Sequence, residues 1–261
     1  SRWNNTIQYH ITKYSDPKKT LPSENIKMAL GGIEEAVTCV TFEEVEKEFR
    51  GMLRTEMIIF QYHERECKSH IGRQKGAPTR VHITFNPNVG CTEVVTIQHQ
   101  VFHSLGMIHE HMRADRDSFI EIDTDKVKEF ELLNNFRRWS GPANEYQLYI
   151  PYDFFSIMHY NSQLNGVTLI KPHNQYYTQV LNSAPSEFMS SADAMGLNLH
   201  FQCPTISTSL HNDYMTFYKH SIYQELIQLD IEETKASLNF CLLYPEKVVI
   251  ETFDDTMDMY L

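Results

Sequence analysis

The sequence is short of basic residues: 23 lysines and arginines stand against 34 aspartates and glutamates, which gives a net charge of −11. Nucleic-acid binding needs basic surface to neutralise phosphates, so no nucleic-acid partner is expected. The chain also lacks any apolar stretch near the ~20 residues that cross a bilayer, so no membrane span is expected. No apolar segment follows a basic start as in a signal peptide, which makes a mature or trimmed form the expectation.

Cysteine is sparse and never arranged as C-x-x-C, so a thiolate zinc site is not indicated. The five cysteines are Cys39, Cys67, Cys91, Cys203 and Cys241. Five residues predict two disulfides with one cysteine left over, and disulfides favour an oxidising compartment. A glycosylation sequon begins at Asn4 and agrees with this, so we expect a secreted or extracellular protein. The leftover cysteine either is free or joins two chains, and the resemblance given below makes Cys241 that residue.

Regular patterning is concentrated in the first 105 residues. Alternating or β-rich runs predict strands at 7–14, 40–42, 57–62 and 81–85. A first helix is predicted from Ser23, as N-cap, to about Val37, because Ile26, Ala29 and Ile33 share one helical face with Val37. A second helix is predicted from about 92 to 105, where Gly106 ends it.

The remaining residues divide into two parts of different character. Residues 107–203 contain several glycines and prolines and predict long loops with a few short helices. Strands and helices followed by an irregular half indicate an α+β fold with two lobes. Residues 204–261 hold ten acidic residues against three lysines, a net charge of −7. We therefore expect two domains, 1–203 and an acidic, partly helical extension at 204–261. Its apolar face at 222–229 either packs on the domain or binds a partner.

Three histidines carry the chemistry. His99, His103 and His109 follow the spacing H-x-x-x-H-x-x-G-x-x-H, with Gly106 as the glycine. Residues four apart lie one turn apart on the same face of a helix, so two imidazoles can share one metal ion. Because glycine can take a positive φ, it can end the helix abruptly and let the third histidine approach the same ion. Three neutral nitrogens with an open position are typical of a catalytic zinc site.

The surrounding residues resemble a known family. The stretch from His99 to Asp117, H-Q-V-F-H-S-L-G-M-I-H-E-H-M-R-A-D-R-D, resembles the signature H-E-x-x-H-x-x-G-x-x-H-E-x-x-R-x-D-R-D of the astacin family of zinc metallopeptidases. The run S-I-M-H-Y at 156–160 resembles the Met-turn of that family. The resemblance extends from about Trp3 to Cys203. It implies a two-lobed metzincin domain with an N-terminal twisted sheet and helices, a mostly irregular C-terminal lobe, and zinc in the cleft between them.

The resemblance also implies a role for each matching position. His99, His103 and His109 would be the zinc ligands. Tyr160 would be a fifth ligand at rest that swings to steady the oxyanion, and Met158 would form an apolar floor beneath the metal. Two disulfides, Cys39–Cys203 and Cys67–Cys91, are implied. The segment 67–73 would flank an edge strand, to which an extended peptide or protein substrate adds as a further strand.

Position 100 departs from the family pattern. The family has a glutamate there, which takes a proton from the attacking water and passes it to the leaving amine. Gln100 has nearly the same shape, but its amide cannot accept that proton at neutral pH. Losing a general base typically costs ~10²–10⁴ in rate. We therefore expect this chain to bind zinc and peptide and to cleave very poorly.

Two hypotheses account for Gln100. In the first, the chain is a zinc endopeptidase that was silenced deliberately or recently, as the intact ligands and Tyr160 suggest. Alternatively, it is a natural pseudopeptidase that binds a peptide or protein without cutting it. Val95 and Gln98 favour the second hypothesis, because astacins usually have glycine and an aliphatic residue there.

Other residues of the two motifs are expected to have structural roles. Arg113, Asp115, Arg116 and Asp117 predict a charge network, and His111 and His159 are interpreted as hydrogen-bonded structural residues. In active astacins the acid after the third histidine, here Glu110, meets the buried amine of the mature N-terminus. Trp3 resembles a family tryptophan that lies further from that terminus, so an amine partner for Glu110 is not expected.

Overall fold

A computed structural model of the chain describes residues 3–46, 56–86, 91–139, 150–182, 189–204 and 258–260. The chain forms two compact units, one of Ser1–Ile108 with Glu251–Leu261 and one of His109–Ile250. The break after Ile108 lies inside the predicted domain 1–203, as expected of a domain with two lobes, whereas the break after Ile250 lies in the predicted extension. The boundary at 203/204 remains a prediction. The predicted helical face at 222–229 and Cys241 lie outside the described residues.

The first unit is built on one mixed sheet. Its strands are β1 (Thr6–Ile11), β2 (Thr41–Glu44), β3 (Met57–Tyr62), β4 (Lys68–His70), β5 (Thr79–Ile83) and, from the end of the chain, β10 (Asp258–Tyr260). Their order across the sheet is β10-β4-β5-β3-β1-β2. The four strands β5, β3, β1 and β2 are parallel, whereas β4 is antiparallel to β5. Strand β10 lies antiparallel along β4, with Asp258 opposite His70 and Tyr260 opposite Lys68.

Apolar side chains explain why the central strands form. Ile58 and Phe60 of β3 and Val81 and Ile83 of β5 are fully buried, and β3 has the predicted bounds. The predicted first strand is too long, because β1 ends at Ile11. Beyond that residue, the hydroxyl of Tyr14 accepts the hydrogen bond of the Tyr62 backbone N–H at 2.9 Å. A side-chain hydroxyl, instead of a backbone carbonyl, is thus the partner of the Tyr62 N–H.

Two helices pack together in the first unit. Helix α1 (Ser23–Ala36) buries Ile26, Ala29 and Ile33, as the apolar spacing predicts. Ser23 is not the N-cap: Pro22 holds that position without a side-chain cap, and the Ser23 hydroxyl bonds the carbonyl of Leu21 instead. Helix α2 (Val94–Leu105) is buried along most of its length, because it packs against α1, β4 and β5.

The second unit contains short elements joined by loops, as predicted. Its helices are α3 (Thr124–Glu129), α4 (Thr178–Asn182) and α5 (Ser191–Phe201), and its strands are β6 (Ile120–Ile122), β7 (Gln163–Leu164), β8 (Val167–Thr168) and β9 (Ile170–Pro172). Strand β6 pairs with β9, and β7 pairs with β8. The core of this unit consists of Ile120, Val127, Phe136, Tyr152, Phe154, Leu169, Ile170 and Leu181. Helix α5 begins with a capping box, in which Ser190 and Asp193 bond each other's backbone N–H groups.

Disulfides reinforce the fold. Cys67 and Cys91 are joined across 24 residues, as the resemblance implies. Cys39 and Cys203 each take part in a disulfide as well. Closing a loop of this length typically stabilises a protein by about 2–4 kcal/mol. Among the helices that the structure describes, none has the length and apolar character of a membrane span.

Candidate metal centre

Helix α2 carries two of the predicted metal ligands, and the turn after it carries the third. His99 and His103 lie one turn apart on α2, with their ring centroids 4.7 Å from each other. His109 follows the turn, and one ligand atom from each of the three histidines lies within 4.8 Å of the others. All three side chains are buried. This single segment therefore presents three nitrogens at a spacing suited to one shared ion.

Gly106 ends α2 and redirects the chain toward His109. Its φ of 108° lies in the left-handed region, which a residue without Cβ adopts at little cost. The N–H of Gly106 donates to the carbonyl of His103 at 2.8 Å, and the N–H of Met107 donates to the carbonyl of Phe102 at 2.9 Å. Both carbonyls of the last helical turn are thereby satisfied. This is the turn that the histidine spacing predicts.

Hydrogen bonding sets the tautomer of His103. Its Nδ1 lies 2.8 Å from the carbonyl oxygen of Met107. A carbonyl only accepts hydrogen bonds, so Nδ1 carries the proton and Nε2 keeps its lone pair. Burial, and then the nearby His99 ring, hold the pKa of His103 well below its usual value. A neutral imidazole whose other nitrogen is held by a carbonyl is the form in which histidine binds zinc, so His103 fits that metal.

Gln100, at the predicted general-base position, follows His99 on α2. Its side chain is 1% exposed. Its Oε1 accepts no hydrogen bond from the part of the chain that the structure describes. Leaving a buried amide oxygen without a donor costs roughly 1–3 kcal/mol, and native sites usually satisfy such atoms with water or a ligand. This orphaned acceptor therefore fits a site that a metal ion and a polar ligand complete.

The Met-turn is held by side-chain hydrogen bonds within the second unit. The N–H of Met158 donates to Ser156 Oγ at 3.0 Å, and Ser156 Oγ donates to the carboxylate of Asp193. The carbonyl of Met158 accepts from the N–H of Glu110 at 2.9 Å. Met158 is 1% exposed, as expected for an apolar structural position. Asp193 therefore links helix α5 to the turn that precedes Tyr160.

Tyr160 packs directly on the third histidine. Its ring centroid lies 4.3 Å from that of His109 and 4.2 Å from that of His111. Its hydroxyl lies 3.5 Å from Nδ2 of Asn135. Burial raises the pKa of the Tyr160 hydroxyl, and the hydrogen bond from Asn135 opposes that effect. The structure thus brings the predicted tyrosine next to a predicted ligand.

The predicted charge network is present. Arg113 bonds both oxygens of Asp115, at 2.9 and 2.8 Å, and also bonds Glu110 at 2.9 Å. Arg116 pairs with Asp117 at 3.0 Å. Burial raises the pKa of Glu110 to about 7, against the opposing effects of Arg113 and of the Asp153 N–H. Glu110 therefore has an internal partner in Arg113, where the sequence predicts only that an amine is missing.

The two remaining motif histidines are hydrogen-bonded, as interpreted. His111 Nε2 donates to the carbonyl of Asn135 at 2.9 Å. His159 contacts the Tyr152 hydroxyl through Nε2 at 2.8 Å and the carbonyl of Tyr160 through Nδ1 at 2.7 Å. Burial lowers the pKa of His159 to about 4. Both rings therefore brace the segments around His109 and Tyr160.

Strand β4 leads directly to the helix of the metal centre. The N–H of Gly72, two residues beyond the end of β4, donates to the carbonyl of His103 at 2.8 Å. Gly72 has a φ of +66°, and a Cβ there would lie 3.7 Å from Cα of Gly106. Arg73 pairs with Glu56. The segment 67–73, which the resemblance places beside the docking strand, is therefore hydrogen-bonded to the histidine helix through Gly72.

A second histidine cluster of His63, Glu66 and His82 also has metal-like spacing. His63 Nδ1 accepts backbone N–H bonds from Arg65 and Glu66, at 3.3 and 3.1 Å. A neutral His63 therefore keeps its proton on Nε2, which faces Glu66 at 3.5 Å. Glu66 also pairs with Lys68 at 3.0 Å. His82 Nε2 is held by Gln61 Nε2 at 2.7 Å. We assign this cluster a structural role, because these contacts already engage His63, Glu66 and His82 Nε2.

Sequence reasoning missed two supporting features. Asp153 and Asp193, bridged by Ser190, are buried behind the Met-turn. The spacing of Ser190 and Asp193 resembles a capping box and could have placed the start of α5. Asn135 lies in no motif, and nothing in the sequence alone indicates its contact with Tyr160.

A helix with metal-like histidine spacing beside a mixed sheet, followed by a tyrosine-bearing turn that resembles the Met-turn, fits the metzincin class of metallopeptidases. Comparison with known proteins specifies the family. The sequence model of the astacin peptidase family matches residues 1–202. The chain therefore belongs to the astacin family of zinc metallopeptidases.

Individual relatives are similar over part of their length. Zinc metalloproteinase nas-25 of Caenorhabditis elegans is 26% identical over 212 residues, which are 77% of this chain and 47% of the relative. Tolloid-like protein 2 of Mus musculus is 34% identical over 134 residues, which are 51% of this chain and 12% of the relative. The chain thus spans about half of the first relative and about an eighth of the second.

A solved structure supports the fold. The hatching enzyme zinc-protease High choriolytic enzyme 1 of Oryzias latipes (Medaka fish) superposes with a TM-score of 0.59 at 25% identity. The match covers 77% of this chain and 94% of that chain. The predicted α+β metzincin fold is confirmed.

Proposed function

We propose that this chain is an astacin-type endopeptidase domain whose peptide-cleaving machinery lacks only its general base. His99, His103 and His109 would hold zinc, which when bound would polarise the peptide carbonyl and lower the pKa of the attacking water. Gln100 would orient that water through its free Oε1. Tyr160 would donate a hydrogen bond to the oxygen on which negative charge develops.

The unsatisfied Oε1 of Gln100 carries this proposal. It is a buried acceptor directly after His99, and no described residue donates to it. A glutamate in the same position would present an oxygen that accepts and returns a proton, whereas the amide accepts only a hydrogen bond. We therefore expect peptide binding without turnover.

Gln98 supports a silenced enzyme over a drifted binding module. Its Nε2 lies 3.4 Å from the carbonyl of Ala29 on α1, so the side chain points at a neighbouring helix. This departure from the family pattern is accommodated by helix packing, away from the histidines. Gln98, one of the two further departures, therefore gives no separate support to the pseudopeptidase alternative.

The extended substrate would add to β4 (Lys68–His70). Strand β10 pairs along the outer side of β4, so the substrate would take the place of β10. Gly72, just after β4, is bonded to His103. Main-chain pairing at a sheet edge supplies affinity, and alternate side-chain pockets supply specificity. We infer an extracellular setting from the disulfides. Asn4 of the sequon is exposed, which supports this inference.

The test restores the base. A broad peptide library is incubated with the chain and with Gln100→Glu, and zinc content is measured in both. We expect Gln100→Glu to raise cleavage by about 10²–10⁴-fold. Gln98→Glu makes the same chemical change on the α1-facing side of the helix and should leave cleavage at the level of the parent. Silence of Gln100→Glu with one zinc bound would overturn the enzyme proposal in favour of the binding module.

A further inference from the structure

Among the described residues, the side chain of Asn135 reaches the hydroxyl of Tyr160. Its Nδ2 lies 3.5 Å from that oxygen. An amide nitrogen only donates hydrogen bonds, so the phenol oxygen accepts here, and its own proton is left to point elsewhere. The steadying role proposed for Tyr160 requires this orientation, because an oxyanion accepts and the phenol must donate.

The turn that carries Asn135 is fixed at several points. The N–H of Asn135 donates to the carbonyl of Leu132 at 3.0 Å. Its carbonyl accepts from His111 Nε2 at 2.9 Å. The next residue, Phe136, is buried, and its carbonyl accepts from Arg116. Backbone bonds therefore hold Asn135 in place, and its side-chain amide is available for Tyr160.

The ring of Tyr160 is confined by the same group of residues. It packs against His109 and His111, and it meets the ring of Phe136 edge-on at 5.9 Å. The aromatic contacts position the ring, but they leave the rotation of the hydroxyl proton unspecified. Only a polar neighbour can set that rotation.

We propose that Asn135 is a positioning residue, whose amide N–H holds the Tyr160 oxygen and directs the Tyr160 proton toward the substrate. This inference rests on the proposed function, because it assigns the hydroxyl a donor role in peptide cleavage. Asn135 itself does not touch the reacting atoms.

The first experiment needs no activity. In the zinc-loaded chain, labelled with ¹⁵N, Tyr160→Phe removes the hydroxyl and keeps the ring. We expect the side-chain amide signal of Asn135 to shift and that of Asn134 to stay in place, since Asn134 is exposed in the same turn. An unmoved Asn135 signal would overturn the proposal whether or not the restored enzyme cleaves peptide.

The second experiment uses Gln100→Glu as the active parent. Loss of one hydrogen bond predicts that Asn135→Ala lowers kcat about 5- to 10-fold with little change in KM. Asn135→Asp keeps the shape but turns the donor into an acceptor, which would draw the Tyr160 proton away. We therefore expect Asn135→Asp to lower kcat at least as much as Asn135→Ala. Asn134→Ala is the matched control and should leave kcat unchanged.

Two outcomes contradict the proposal in this second experiment. If Asn135→Asp has the same kcat as the parent, the Asn135 amide either contributes only its shape or accepts the Tyr160 hydroxyl proton instead of donating a hydrogen bond. If Asn135→Ala lowers kcat equally in the presence and absence of Tyr160→Phe, its effect does not pass through the Tyr160 hydroxyl. An inactive Gln100→Glu would reject the proposed function and leave the amide-shift experiment to decide on the contact.

Discussion

Glu110 Oε1 and Arg113 Nη1 lie 2.9 Å apart, and both side chains are almost fully buried. The same oxygen of Glu110 accepts from the N–H of Asp153 at 2.8 Å. Arg113 also donates to the carbonyls of Ile150 and Pro151. The pair therefore ties the residue after His109 to the loop that enters the Met-turn.

Arg113→Leu should destabilise the protein by about 3–5 kcal/mol, because Glu110 would remain as a buried charge without its partner. The pKa of Glu110 is raised to about 7 by burial. A proton can therefore neutralise it at pH 5, and the loss should be larger at pH 8. Urea unfolding of the zinc-loaded protein measures both values. Arg138→Leu is the control, since Arg138 pairs with Asp117 at 3.0 Å between half-exposed side chains and should cost about 0–1 kcal/mol.

Asp153 predicts a pH dependence of stability. Burial, and then the charge of Asp193, raise its pKa to about 7 from an ordinary value of 3.8. Between these two values the folded protein holds a proton that the unfolded chain has released. This group's contribution to stability therefore falls as pH rises from about 4 to about 7.

Asp153→Asn removes that titration and keeps the shape. The free energy of unfolding of the variant, relative to the parent, should rise across the same pH range. Asp125→Asn, which changes an exposed carboxylate on α3, is the control. A constant difference between Asp153→Asn and the parent from pH 4 to 8 would contradict the prediction.

Adjacent glycines in α1 should respond differently to alanine. A Cβ at Gly31 would meet nothing within 4 Å, whereas one at Gly32 would lie 2.7 Å from Nε2 of Gln98. Alanine is favoured over glycine inside a helix by about 0.5–1 kcal/mol, so Gly31→Ala should stabilise the protein by that amount. Gly32→Ala should lose this gain, because the Gln98 amide must move from its place beside Ala29.

Gln98→Ala distinguishes this contact from a general effect of the position. In that background the two alanine substitutions should have similar effects on the midpoint of urea unfolding. If Gly32→Ala remains worse than Gly31→Ala by the same amount, Gln98 is not the cause.

Strand β10 is expected to compete with a peptide for pairing with β4. Because β10 pairs with β4, a peptide that adds to β4 must displace it. A tethered segment competes at an effective concentration on the order of 1 mM. When β10 is paired in half or more of the molecules, deleting residues 251–261 should tighten peptide binding at least about twofold. Met259→Pro, which removes one backbone donor opposite Ser69, should act in the same direction. Equal peptide affinity for the full and shortened chains would exclude competition by β10.

Sequence patterns predicted the elements that are determined by residues close together in the chain. Met57–Tyr62 has the predicted bounds because its apolar residues fill the sheet, and Gly106 ends α2 because the spacing of His103 and His109 requires a turn. Ser23 was wrong as an N-cap, because a serine hydroxyl at this point can also bond the carbonyl two residues before it. Sequence cannot distinguish these two local bonds.

Features that depend on distant pairing escaped prediction. Strand β4 has three residues, too few for a pattern of alternation, and β10 forms only through its partner. The approach of Asn135 to Tyr160 joins residues 25 apart in sequence and has no signature. The clustering of His99, His103 and His109 was predictable because it lies within a single short segment of the chain.

The hydrogen bond from Gly72 to His103 fixes the position of the residues after β4 relative to the three histidines. A strand advances about 3.3 Å per residue and presents alternate side chains to opposite faces. The residues of a peptide paired with β4 would therefore lie at regular distances from Gly72, which is bonded to the histidine helix. A slip of one residue would present a different bond and reverse the face of every side chain. In the restored enzyme, the choice of scissile bond would thus depend on registration along the backbone before any pocket is filled.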